Sequence, residues 1–62
     1  MIRAEIWVEF CDDIVAEIES ENIIANDYEE IRNELDALVK HYEESFEILD
    51  SGYEVIDVEI EQ

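Results

Sequence analysis

The sequence predicts a small α+β domain, one antiparallel sheet carrying two helices on one face, with its elements in the order β-α-α-β-β. Three observations predict it. Residues 2–10, IRAEIWVEF, alternate apolar and polar side chains with period two, as a half-buried strand does. Residues 28–44, YEEIRNELDALVKHYEE, place Tyr28, Ile31, Leu35, Leu38, Val39 and Tyr42 on one stripe at helical spacing. Residues 53–61, YEVIDVEIE, return to alternation.

In the first strand Ile2, Ala4, Ile6, Val8 and Phe10 point one way, and Arg3, Glu5, Trp7 and Glu9 the other. Residues 12–21, DDIVAEIESE, then switch to helical spacing, with Cys11, Ile14, Val15 and Ile18 on a shared face. Asp12 or Asp13 caps this expected first helix, while Glu19 and Glu21 sit at the end where the helix dipole disfavours them. NIIAN follows as a connector whose Ile23 and Ile24 plug the core. The second helix starts near Asn26 or Asp27, where Asn26 with Glu29 and Asp27 with Glu30 both have the spacing of a capping box. Lys40 and His41 lie towards its end, on the side the dipole favours, and the helix is expected to stop near residues 43–45. FEIL is read as a short strand, LDSG as a turn with Gly52 left-handed, and YEVIDVEIE as the last strand with Ile56, Val58 and Ile60 inward. The competing reading continues the helix to Asp50 through Phe46 and Leu49 and makes Gly52 its C-cap.

A chain of 62 residues makes a single domain, residues 1–62, with no linker or repeat. Such a domain buries only about 60% of its unfolded surface. Its hydrophobic fraction of 48% is that of a folded protein rather than an acidic tail. Cys11 is the only cysteine, so no internal disulfide forms. There is no basic-then-apolar leader and no run long enough to span a bilayer, so a cytoplasmic location is expected, that of the host cell if a phage encodes the chain.

The sequence offers little chemistry. One glycine rules out a glycine-rich phosphate loop. His41, the only imidazole, has Leu38 three residues before it, which breaks the Glu-x-x-His pattern of di-iron helices. His41 with Glu44 reads as a solvent-facing helix end rather than a metal pair. DDIVAEIESE lacks the acidic spacing and central glycine of a calcium loop. The carboxylates beside Cys11 disfavour a thiolate, so it reads as a core or half-buried cysteine. The doublets Asp12–Asp13, Glu29–Glu30 and Glu43–Glu44 lack the cleft that would drive paired carboxyl pKa values apart. No enzyme, metal or cofactor is expected.

What needs explaining is the charge. Twenty acidic residues face Arg3, Arg32 and Lys40, for a net charge of −17. Colloidal stability asks for a magnitude of only about 2 to 8, and the excess destabilises the compact state. Direct contact with nucleic acid or an anionic membrane lacks the cations it needs. A basic partner surface remains. The expected partner-binding residues are Glu29, Glu30, Glu34, Asp36, Glu43 and Glu44 on the long helix, supported by Glu17 and Glu21.

In size, acidity and lack of a catalytic motif the chain resembles the small acidic DNA-mimic inhibitors of phages and mobile elements, the anti-CRISPR and anti-restriction proteins. The resemblance is compositional and carries over no residue. It implies an inhibitor that occupies the basic DNA-recognition surface of a bacterial defence complex, most readily a CRISPR effector. An acidic antitoxin-like module covering a basic protein shares the same physics, and a salt-adapted domain also explains one sign of charge. Trp7 interrupts the polar face of its strand. With Tyr53 and Val55 expected beside it, Trp7 would form an aromatic patch for a partner or a homodimer contact.

Overall fold

The computed structural model describes residues 1–60. Its elements are β1 (Ile2–Asp12), β2 (Val15–Ala25), α1 (Tyr28–Glu43) and β3 (Glu47–Val58). All pairing is antiparallel, in the order β2-β1-β3. The fold is α+β, but the order is β-β-α-β with one helix, so the expected β-α-α-β-β order with two helices is wrong.

The first departure is at residues 12–21. Asp12 pairs with Val15 across the two-residue loop Asp13–Ile14, and β1 and β2 then run paired without interruption to Ile2 opposite Ala25. The loop has one positive φ, 60° at Asp13, a conformation that Asp tolerates better than most side chains. Residues 14–25, IVAEIESENIIA, satisfy both periods: Ile14, Val15 and Ile18 suit a helix, and Glu17, Glu19 and Glu21 alternate as in a strand. The unfilled edge of β1 decides between them, because a strand there pairs eleven residues at once. The glutamates that a helix would hold against its dipole sit without that penalty on a strand.

The second departure is at Gly52. No turn forms there; β3 runs through it, and Gly52 has no positive φ. It lies opposite Trp7, whose ring covers it so closely that an added Cβ would stand 2.8 Å from Trp7 Cζ2. The glycine is therefore needed for close approach rather than for a left-handed backbone.

Two register shifts in β3, between the partners of Arg3 and Ala4 and of Glu9 and Phe10, leave Ile56 and Leu49 unopposed. These bulges reverse the parity that the sequence implies. Tyr53 and Val55 pair with Ile6 and Ala4 on the helix-covered side, not beside Trp7. Ile56 is exposed, and Ile60 is 82% exposed instead of inward.

Because β2 and β3 both run antiparallel to β1, they are parallel to each other with β1 between. The chain must travel back along the sheet to join them, and α1 makes that journey. Asp27 caps the helix: its Oδ1 accepts from the Glu30 amide at 2.8 Å, and Glu30 Oε2 accepts from the Asn26 amide at 3.1 Å. The helix ends at Glu43, inside the expected window. It lies chiefly over β1 and β3. Ile2, Ala4, Ile6, Val8 and Phe10 are all buried, as the alternation predicts, with Ala25 and Ile31 closing the core. Ile23, Leu35, Leu38 and Val55 pack at its margin, whereas Ile24 is exposed. At the far end Phe10 stacks on Tyr42 at a centroid distance of 4.8 Å and lies tilted against Phe46 at 4.7 Å. Among the described residues no helix is long and apolar enough to cross a membrane.

Gly52→Ala should destabilise the fold by ~1–3 kcal/mol through overpacking against the indole. Adding Trp7→Ala should remove most of that penalty, measured as non-additivity in urea unfolding. Additive effects would show that the two residues do not constrain each other.

Candidate functional site: an acidic sheet and helix surface

One helix cannot cover both faces of a sheet. The face away from α1 is open, and the register fixes what it displays. Residues paired across an antiparallel ladder share a face. Arg3, Glu5, Trp7, Glu9 and Cys11 form its central column, flanked on β3 by Asp57, Glu54, Gly52, Asp50 and Glu47. On β2 the same rows hold Ile24, Asn22, Ser20, Ile18 and Ala16.

Two of these rows set like charges against each other. Glu5 stands opposite Glu54, and Glu9 opposite Asp50. Directly opposed like charges destabilise a sheet, and neither row has a cation. Arg3 is opposite Asp57 and bonds Glu59 Oε1 at 3.2 Å, the one ion pair among the described residues, with both side chains about half exposed. Such an exposed pair contributes little.

The strands hold ten carboxylates and one cation, a net −9. The helix holds five carboxylates and two cations, Arg32 and Lys40, a net −3. Six of the strand carboxylates and Arg3 lie on the open face, a net −5, so that face is more negative than the helix. The acidic rows of the helix are the more visible in sequence because they lie close together in the chain. The acidic rows across the open face join residues 49 and 41 positions apart, and the β3 bulges hide them from parity.

The expected partner-binding residues fall into four groups. Glu29, Glu34, Asp36, Glu43 and Glu44 are exposed on or just beyond α1, interspersed with Arg32, Lys40 and His41. Glu30 is half-buried and holds the capping contact to Asn26, so charge reversal there would also loosen the helix start. Glu17 and Glu21 are exposed on β2, not on a helix. Trp7 is half-buried over Gly52, with Ser20 on its other side. Its place on the polar face follows from covering the glycine, and the patch with Tyr53 and Val55 does not form.

Cys11 is half-buried, and its thiol donates to the Asp13 carbonyl at 3.1 Å, within the hairpin turn. Among the described residues no three His, Cys, Asp or Glu side chains gather closely enough to hold a metal ion. Among the described residues no charged side chain is buried. What the arrangement can do is present charge. The body measures 49 × 17 × 12 Å. Without Glu61, which lies outside the described residues, the net charge is −16, or one negative charge per about 3 Å of the long axis. Duplex DNA carries one per about 1.7 Å of axis, and each of its strands one per about 3.4 Å.

Glu54→Lys should turn a repulsive row into an attractive one with Glu5. The expected outcome is a gain of ~0.5–1 kcal/mol in stability at low salt, shrinking as salt is added. A stability loss in thermal unfolding would contradict this account of the open face.

Comparison of the chain with protein-family models, with curated proteins and with solved structures finds no significant match.

Proposed function

We propose that this protein is a nucleic-acid charge mimic that blocks the DNA-binding site of a bacterial defence complex, in the manner of an anti-CRISPR protein. The observation that carries the reading is the spread of almost uncompensated negative charge along an elongated body, at a spacing close to that of a nucleic-acid strand. Charge of this density steers the chain towards a basic groove and repels nucleic acid and anionic membranes. It destabilises the sheet in isolation, and a cationic partner relieves that repulsion on contact. The role of the carboxylates is presentation, not catalysis. Glu5, Glu9, Asp50 and Glu54 join the helix carboxylates Glu29, Glu34, Asp36, Glu43 and Glu44 in it.

The test is capture of partners from a nuclease-treated bacterial lysate that contains CRISPR and restriction systems, with the tagged protein as bait. The expected result is one nucleic-acid-binding complex, released by excess duplex DNA. Binding to it should weaken steeply with salt. Glu29→Lys/Glu34→Lys, which spares the Glu30 cap, should keep the circular dichroism of the parent and weaken binding about tenfold, as the loss of several charge contacts implies. A captured partner that DNA does not displace would turn the reading towards an antitoxin-like module. Undiminished binding by the double variant would remove the helix from the contact surface.

A further inference from the structure

We propose that the free edge of β2 is a strand-acceptor site, where an extended basic segment of a partner protein adds as a fourth strand. The proposal goes beyond charge mimicry, because backbone hydrogen bonds carry it and it holds for any partner with such a segment.

Among the described residues the sheet ends at β2, so the side of this strand away from β1 is unpaired. An unpaired edge offers N–H and C=O groups from alternate residues along its length. The two edges of this sheet are not equivalent. The β3 edge is broken by its two bulges. The β2 strand pairs with β1 in unbroken register over all eleven residues, so its free edge is regular. It is also open, because α1 leans over β1 and β3, and every side chain from Val15 to Asn22 is exposed. A regular, uncovered edge of this length is the geometry that β-augmentation uses.

The side chains select the occupant. Glu17, Glu19 and Glu21 lie on one face of the edge strand, opposite Phe10, Val8 and Ile6 of β1. Their spacing is that of alternate strand residues, about 6.8 Å. Two β2 edges paired with Glu19 opposite Glu19 would align six of these carboxylates, so repulsion disfavours a second copy of this chain in that register. An incoming strand with Lys or Arg at alternate positions would set one cation against each glutamate. The same row that guards the edge against self-association therefore selects a basic strand.

The probe is a capped peptide of about ten residues alternating Thr and Lys, matched in length to an ordinary strand. It is titrated into the isotopically labelled full chain and followed by amide hydrogen exchange. The expected result is new protection at alternate β2 amides, and loss of binding when alternate peptide nitrogens are methylated. Glu17→Lys/Glu19→Lys/Glu21→Lys should weaken binding about tenfold or more, as the loss of three facing ion pairs implies. A variant with the same change in net charge on β3, Glu47→Lys/Glu54→Lys/Asp57→Lys, should weaken it much less. Circular dichroism establishes that both variants are folded. Equal weakening by the two variants, protection spread evenly over the molecule, or indifference to N-methylation would overturn the proposal in favour of diffuse attraction. Sedimentation showing a dimer of the free chain would overturn it in favour of a second copy at the edge.

Discussion

The structure depends on β1 being the central strand. Its alternate residues Ile2, Ala4, Ile6, Val8 and Phe10 are the largest share of the core, and both of its edges are paired. Only the central strand of this sheet is paired along both edges, and the most regular apolar alternation sits there. The rest follows. The edge left by β2 draws in β3, the parallel relation of those two strands demands a return path, and α1 supplies it while covering the apolar face. Ile31, fully buried, is where the helix meets the strand.

Covering one face leaves the other open, and that is where the charge becomes costly. On an exposed loop or a flexible tail, carboxylates can move apart. Across a hydrogen-bonded ladder the backbone fixes the Cα positions of Glu5 opposite Glu54 and of Glu9 opposite Asp50, so only side-chain rotation can separate the carboxylates. The apolar face and the aromatic stack of Phe10, Tyr42 and Phe46 have to hold the sheet together against that repulsion. A rigid scaffold and a repulsive surface are complementary properties in a protein that presents charge. Rigidity keeps the charges at a defined spacing, and repulsion makes a cationic partner favourable.

Gly52 and Trp7 show how local features take their meaning from pairing. A single glycine after Asp and Ser has the composition of a turn, and a tryptophan among glutamates has that of a docking patch. Opposite each other they explain one another: the indole fills the space above a residue with no side chain, and each ceases to be an anomaly. Glu30 is a similar case, because a carboxylate that reads as one of a charged row is held in the helix cap.

The sequence by itself determined the features that rest on neighbours along the chain. These are the first strand and its inward face, a helix that starts at Asn26 or Asp27 and is expected to end near residues 43–45, the α+β class and the sign of the surface charge. Their periods are long, and the capping spacing is local. The tertiary structure alone decided the features that rest on partners distant in the chain. Residues 15–25 suit a helix and a strand almost equally, and the open edge of β1 breaks the tie with a run of interstrand hydrogen bonds. The bulges at Leu49 and Ile56 move Tyr53 and Val55 to the covered face, since one unopposed residue inverts every side chain beyond it. The acidic rows of the open face are likewise set by register, a relation between residues that no window of neighbouring sequence contains.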